Sequence, residues 1–321
     1  MKRLCNCIVF TIIFTFLPIG ARAAQLLIPG GQVIGLQLQN DTVTVAAFDD
    51  TLGSCAKEAG LCVGDEILTI NGQSIHSAGD VRSALEKNGE PVSLTIRRDA
   101  RTKTFHVTPR ITADGPRLGV YLKQGISGIG TVTWYDPQTG IFGTLGHGVN
   151  DTHGKLAALT SGSAFPAEVI SVIKGTCGNP GQLKGNADTL TVCGSLLRNT
   201  PQGVFGTCQK MCRSEPLPVA DYTEICTGPA TIRSTVSGTA VQEYSVEILK
   251  IYPEDKPDGR NFLLKVTDPA LLSATGGIVQ GMSGSPIIQS GKLVGAVTHV
   301  LVNDPTRGYG IFIENMLDAA A

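Results

Sequence analysis

The chain has 321 residues, which predicts about two domains, and 42% of them are hydrophobic, enough for packed cores. The 17% of charged residues and the 39 glycines are typical of a soluble, turn-rich, mostly β protein. A net charge of −1, with no basic block mixed with aromatic residues, excludes an electrostatic surface for nucleic acid.

The N-terminus is typical of a targeting segment. Lys2 and Arg3 precede an apolar run over 5–20, and residues 21–23 (ARA) form a small-residue cleavage site. The apolar run, about 16 residues, is short for a transmembrane helix. We therefore predict a signal peptide over 1–23, with an uncleaved signal anchor as the alternative. In either case the chain is exported across the cytoplasmic membrane.

Residues 24–110 are predicted to form one unit. A strand and a short helix precede the turn and hairpin segment 60–72 (GLCVGDEILTING), and a helix over 78–87 and two paired strands follow it. This order of elements resembles a bacterial PDZ domain.

The PDZ resemblance implies a peptide-binding groove. In that family a glycine-containing loop binds the terminal carboxylate of a peptide, which adds to the sheet as a strand. The resemblance assigns Ile34, Gly35 and Leu36 to this loop and places Val81 and Leu85 at the border of the groove. The alternative is a packing module whose groove is empty or filled by its own chain.

A second domain is predicted after a Pro/Gly linker over 111–117. Residues 118–321 are rich in Gly, Val, Ile and Thr and are divided into many short strands, which predicts a pair of β-barrels. Only the segment 313–320 has a helical pattern.

Residues 281–286 (GMSGSP) are typical of a serine nucleophile on a tight turn. An attacking hydroxyl needs a loop that admits the substrate and backbone N–H groups directed at the oxyanion. Because Gly281 and Gly284 flank Ser283, we predict Ser283 as the nucleophile and the N–H groups of Gly281 and Ser283 as the oxyanion donors. Ser285, or a turn without chemistry, is the alternative. The β-hairpin after this turn resembles the way chymotrypsin-like barrels present their serine.

A serine nucleophile also requires a base. His147 lies between two glycines (residues 143–148, GTLGHG), which would let its imidazole approach a substrate. We predict His147 as the base, with His299 and His153 as alternatives. His76 and His106 belong to the PDZ-like unit.

An orienting carboxylate is the third requirement of a catalytic triad. Asp268 ends an apolar strand 15 residues before Ser283. Asp136, Asp151 and Asp304 occupy turn-like contexts, and spacing alone does not rank the four.

Seven cysteines follow the targeting segment, and five of them lie within 50 residues. In an exported chain this pattern indicates disulfides, with at least one thiol left over. A zinc site is the alternative, but the region has no C-x-x-C motif and no nearby histidine, so we predict no metal or cofactor. The five are Cys177, Cys193, Cys208, Cys212 and Cys226.

Nearly the whole chain from about residue 25 to 317 resembles the stage IV sporulation protein B family, PDZ-containing serine peptidases of endospore-forming bacteria. The resemblance places the triad on His147, Asp268 and Ser283, the chymotrypsin order. It implies a mainly β chain in which a PDZ-like domain precedes a chymotrypsin-like double barrel. The cysteine-rich stretch departs from the family. The motifs that carry the family resemblance are 28–36 (IPGGQVIGL), 143–148 (GTLGHG), 267–269 (TDP), 280–286 (QGMSGSP) and 296–300 (AVTHV).

The family resemblance also implies a biological role. Such a peptidase cleaves itself near its N-terminus after export and then cuts the extracytoplasmic part of a membrane-bound regulator. The cut releases an intramembrane protease that activates a late sigma factor, in the space between forespore and mother-cell membranes. The expected partners are this regulatory complex and the chain's own N-terminal segment.

Two other functions fit the same motifs. One is a catalytically silent PDZ-type binding module, which the Ser, His and Asp candidates disfavour. The other is an envelope quality-control protease, although such enzymes usually place the protease before the PDZ domain.

Overall fold

The computed structural model describes residues 25–52, 54–85, 90–151, 154–208, 214–252 and 260–321. The predicted targeting segment, His153 and Cys212 therefore lie outside the described residues. Within the ranges above, no helix has the length and apolar character needed to cross a membrane.

Strands dominate the described chain. The strands are β1 (Leu26–Pro29), β2 (Val33–Phe48), β3 (Glu66–Ile70), β4 (Gln73–Ser74), β5 (Val92–Arg98), β6 (Arg101–Val107), β7 (Arg110–Thr112), β8 (Gly115–Arg117), β9 (Val120–Tyr135), β10 (Ile141–Thr144), β11 (Ser161–Ile173), β12 (Gln182–Ala187), β13 (Gly194–Thr200), β14 (Gly203–Thr207), β15 (Leu217–Pro218), β16 (Gly228–Ser234), β17 (Gln242–Ile251), β18 (Phe262–Val266), β19 (Pro286–Gln289), β20 (Lys292–Leu301) and β21 (Asp304–Phe312). The helices are α1 (Ser54–Glu58), α2 (Ala78–Leu85), α3 (Pro269–Thr275) and α4 (Ile313–Ala320), with a 3-10 turn at Tyr222–Glu224.

Six strands form the first barrel. They pair in the order β2, β9, β10, β14, β13, β11, and the pairing of β11 with β2 closes the ring. Strand β1 also pairs with β9, so the segment just after the predicted targeting segment is part of the same ladder. The interior is filled by apolar side chains that exclude water, including Leu36, Val132, Phe142, Ala164 and Val204.

The second barrel is also a closed ring of six strands, β16, β17, β18, β21, β20 and β19. Its core includes an edge-to-face contact between Phe262 and Phe312, with ring centroids 4.8 Å apart. The mainly β architecture with two barrels confirms the fold class expected from the sequence.

The PDZ unit shares strands with the first barrel. Strands β3, β5 and β6 extend the sheet from the second half of β2, and helices α1 and α2 pack on them. Both β2 and β9 are 16 residues long and pair with each other along almost their whole length, with a register shift between Leu38 and Val43. The first barrel therefore takes strands from both sides of the PDZ-like unit, whereas the sequence placed the division at the linker 111–117.

Several predicted elements match closely. The helices expected over 78–87 and 313–320 correspond to α2 and α4, and the paired strands after α2 are β5 and β6. The predicted disulfides are not confirmed, because no disulfide joins two of the cysteines that the structure describes. In the same residues, no group of three His, Cys, Asp or Glu side chains is arranged to bind a metal.

Candidate active site

The loop that carries Ser283 depends on its glycines. Gly281 and Gly284 have φ angles of +99° and +96°, which residues with a side chain rarely adopt. A Cβ added to Gly284 would also overlap the carbonyl oxygen of Thr131. The backbone can therefore turn sharply here and leave the side chain of Ser283 partly exposed at the junction of the two barrels.

The two serines of this loop have different surroundings. The Ser283 hydroxyl donates a hydrogen bond to the carbonyl oxygen of Thr298, at 2.7 Å. Ser285 is fully buried, and its hydroxyl has no hydrogen-bond partner among the residues that the structure describes. Its burial disfavours Ser285 as the attacking group.

His147 follows β10 on a second tight loop, where Leu145 and Gly146 have φ angles of +71° and +67°. Its Nδ1 lies 2.9 Å from the carbonyl oxygen of Gly148. A carbonyl oxygen only accepts, so Nδ1 carries the proton and the Nε2 lone pair is left as the basic site. Burial lowers the pKa of the His147 imidazole, which keeps the ring neutral and able to accept a proton.

The two loops lie against each other. Gly284 packs against the backbone of Leu145, and Gly146 packs against the side chain of Thr298. The rings of His147 and His299 have centroids 5.2 Å apart. His299, an alternative base in the sequence, thus lies beside His147 in the same site.

Thr131 of strand β9 connects these loops, and sequence reasoning missed it. Its N–H donates to the Ser283 carbonyl at 3.1 Å, and its hydroxyl donates to the Gly281 carbonyl at 2.8 Å. Its own carbonyl accepts from the Leu145 N–H at 3.3 Å. A threonine inside an apolar strand gives no sequence signal for such a role, because the partners are far away along the chain.

The N–H groups of Gly281 and Ser283 remain the predicted oxyanion donors. Within the described residues, the N–H groups of Gly281 and Ser283 make no backbone hydrogen bond, although both carbonyls accept from Thr131. Two uncommitted N–H groups beside a hydroxyl can stabilise the negative charge of a tetrahedral intermediate.

Asp268 lies elsewhere in the hydrogen-bond network. It is the N-cap of α3, where its carboxylate accepts from the N–H groups of Ala270 at 2.9 Å and Leu271 at 3.1 Å. It also accepts from the Ser245 N–H at 3.2 Å. The hydrogen bond from the Leu271 N–H, together with those from Ser245 and Ala270, lowers the pKa of Asp268. Across the described residues no carboxylate hydrogen-bonds His147, so the third triad member remains a prediction of the family resemblance.

The peptide-binding residues fall in two different places. Ile34, Gly35 and Leu36 lie near the start of β2, paired with β9 on one side and β11 on the other. Their backbone groups belong to the barrel ladder and are not offered to a peptide carboxylate. The reason is the long β2–β9 pairing, which a local motif does not reveal.

Val81 and Leu85, in contrast, line a groove of about 500 Å³ between α2 and the start of β9. The facing wall is residues 117–122 (RLGVYL), in which Gly119 has a φ of +70°. Over 120–122 strand β9 pairs with β2 along one side. This geometry is suited to an added peptide strand, and its glycine loop is at Gly119 rather than Gly35.

Curated and solved proteins resemble parts of the chain. Serine protease HTRA1 of Xenopus tropicalis is 44% identical to this chain over 55 residues. The matched segment is 17% of this chain and 12% of that protein. The PDZ domain of the SdrC-like protein Lmo2051 from Listeria monocytogenes is 21% identical over 26% of this chain and 87% of that one, with a TM-score of 0.22. The active form of the Rv3671c protease from M. tuberculosis is 15% identical over 61% and 73%, with a TM-score of 0.34.

Family models account for most of the sequence. A PDZ-domain model matches residues 52–98. A model described as SpoIVB peptidase S55 matches residues 114–317, which is more than half of the chain. The chain therefore belongs to the SpoIVB peptidase S55 family.

Proposed function

We propose that this endopeptidase makes a few defined cuts, first near its own N-terminus and then in the extracytoplasmic part of a membrane-bound regulator of sporulation. The observation that carries the proposal is the meeting of the Ser283 and His147 loops at Thr131. The name of the SpoIVB peptidase S55 family supports the link to sporulation. Export through the N-terminal segment would bring the enzyme to the space between forespore and mother-cell membranes.

The proposed reaction is acyl-enzyme hydrolysis. The Ser283 oxygen attacks the substrate carbonyl, and its proton passes to Nε2 of His147. The N–H groups of Gly281 and Ser283 stabilise the oxyanion, and His147 returns the proton to the leaving amine. A water molecule then attacks the acyl-enzyme with His147 again as base.

The resting geometry supports limited rather than constant proteolysis. The Ser283 hydroxyl donates to the Thr298 carbonyl, so it must turn toward His147 before it can attack. A substrate or partner that favours this turn would activate the enzyme by shifting its population toward the reactive state.

The groove between α2 and β9 supplies a site for recruitment. Its floor is apolar at Val81 and Leu85, and Arg82 and Arg117 also line it. We propose that it binds a carboxyl-terminal peptide, from the regulatory complex or from the chain itself, as a strand added to β9.

Strand β1 limits where self-cleavage can occur. Leu27 is fully buried, and β1 pairs with both β9 and β15, so its peptide bonds are inaccessible to a protease. The proposed cut therefore falls before β1, where it would release the chain from an N-terminal anchor.

The test compares the full chain with Ser283→Ala by intact mass after expression in membranes. We expect a trimmed N-terminus in the first and an untrimmed one in the second, because the substitution removes the nucleophile and costs orders of magnitude in rate. Equal trimming of both would contradict self-cleavage. Broad degradation of unfolded casein by the wild-type chain would instead support a quality-control protease.

A further inference from the structure

Among the described residues, no carboxylate supports His147 as one normally supports a triad histidine. Its Nδ1 bonds to the carbonyl of its neighbour Gly148, and the ring of His299 packs against its own ring. A backbone carbonyl can select the Nδ1–H tautomer only if the peptide that bears it is itself held in place.

The described residues after Gly148, 149–151 and 154–157, form the two arms of a small hairpin. Ala157 donates its N–H to the Val149 carbonyl at 2.9 Å, and Asn150 forms a bridge with Leu156. This hairpin follows directly on Gly148, so its position determines where the Gly148 carbonyl points.

One side chain attaches the hairpin to the barrel. Oδ1 of Asn199 accepts from the Val149 N–H at 2.9 Å, while Nδ2 donates to the Val149 carbonyl at 2.8 Å and to the Ala157 carbonyl at 2.8 Å. Asn199 lies in β13 opposite Val204 of β14, within the closed barrel. Three hydrogen bonds from a rigid strand thus reach both arms of the hairpin.

We propose that Asn199 is a positioning residue for catalysis, which fixes the Gly148 carbonyl and thereby holds His147 in the orientation and tautomer that a base requires. It touches neither substrate nor the reacting atoms and acts through the hairpin. The neighbouring packing is consistent, since a Cβ on Gly148 would lie 2.7 Å from the carbonyl oxygen of Thr200.

The contacts explain why an amide is needed at this position. Nδ2 faces two carbonyl oxygens, and only a group with two N–H donors can satisfy both. An aspartate of the same shape would set a carboxylate oxygen against these carbonyls. Asn199→Asp therefore distinguishes the two possible roles. It should impair a residue that must donate two hydrogen bonds, whereas the added negative charge should assist a residue that acts as a triad acid.

The experiment measures the second-order rate of labelling by a fluorophosphonate probe as a function of pH, on the full chain. For Asn199→Ala and Asn199→Asp we expect about 10- to 100-fold slower labelling, the loss typical of a displaced catalytic group. We also expect the acid limb of the profile to move up toward the ordinary histidine pKa of about 6.5, because a loosened loop exposes His147 to water.

Asn40→Ala is the matched control, since within the described part of the chain the Asn40 side chain bonds only to the nearby Thr42 N–H, at 3.1 Å. It should label at the wild-type rate. A folded Asn199→Ala or Asn199→Asp variant with wild-type rate and unshifted profile would overturn the proposal.

The proposal rests on His147 as the base, and His147→Ala tests that assignment separately. If His147→Ala labels at the wild-type rate, His147 is not the base. If His147→Ala loses labelling while Asn199→Ala labels normally, only the role of Asn199 is overturned. A measurement on the wild-type chain does not depend on whether a variant folds. The ¹⁵N NMR chemical shifts of neutral His147 should show the Nδ1–H tautomer, and the Nε2–H tautomer would overturn the proposal.

Discussion

His147 and Asp268 show how the surroundings of a residue decide its chemistry. Burial keeps His147 neutral at lower pH than an exposed histidine, so a reaction that needs its lone pair should persist below pH 6.5. The Asp268 carboxylate is stabilised by backbone N–H groups at the start of α3. Because its pKa is lowered on folding, its contribution to stability is complete above the unfolded pKa of about 3.9 and is lost as the pH falls below it.

Asp268→Asn distinguishes a helix cap from a triad acid. Asparagine caps helices as well as aspartate, so we expect little loss of stability, whereas Asp268→Ala should cost about 1 kcal/mol. Because the carboxylate bonds to backbone groups rather than to His147, labelling of Asp268→Asn by a fluorophosphonate should stay within about tenfold of wild type. A loss of about 10⁴-fold, as for removal of a triad charge, would establish Asp268 as the orienting acid.

At the scale of elements, the active site consists of two loops joined by one strand. The Ser283 loop precedes β19 and the His147 loop follows β10, and both bond to Thr131 of β9. The two loops pack closely because the residues at their contact, Gly284 and Gly146, have no side chain. Loop conformation and loop contact are therefore coupled, and a side chain added at the meeting point should disturb both.

Gly284→Ala should disable the site, and Gly291→Ala is its matched control. Both glycines have positive φ, +96° and +75°, but a Cβ at Gly284 overlaps the Thr131 carbonyl while one at Gly291 meets nothing within 4 Å. We expect Gly291→Ala to cost about 1–2 kcal/mol and to keep activity. Gly284→Ala should cost more and abolish labelling. Equal melting temperatures and equal labelling of the two variants would contradict this account.

At the scale of the whole molecule, the PDZ unit is inserted between strands of the protease barrel rather than attached to its end. Strand β2 leads from the barrel into the PDZ unit, and β9 leads from the PDZ unit back into the barrel. Strand β1 pairs with the last residues of β9. The matched family segment 114–317 therefore lacks β2, one of the six strands of the first barrel, and β1, which pairs with β9 beside the ring. Val120, beside the proposed peptide groove, and Thr131, between the two loops, lie on one continuous strand, β9.

Truncation tests this architecture. A fragment of residues 114–321 should fail to melt cooperatively, because without β2 the edges of β9 and β11 are unpaired. A second chain, in which a two-residue Asn-Gly turn joins Gln39 directly to Gly125, keeps the barrel half of β2 and should melt cooperatively and label with the probe. Cooperative melting of the 114–321 fragment, followed by circular dichroism, would refute the shared barrel.

Local sequence patterns were sufficient for the chemistry that short segments carry. The glycine-flanked Ser283 and His147 motifs, the helices α2 and α4, and the strand-rich composition each depend on neighbours a few residues away. Family resemblance added the class of enzyme. For these features the physical cause lies in backbone freedom and in periodicity, and both are visible in the sequence.

Only the tertiary structure decided which distant residues meet. Thr131, Asn199 and Gly119 act through partners far along the chain, and Gly35 lies in the barrel instead of a peptide loop because β2 pairs on both sides. Strand pairing is set by the burial of whole faces, so a local motif does not reveal its partner. The sequence by itself therefore determined the groups available for catalysis, and the fold determined how they are held.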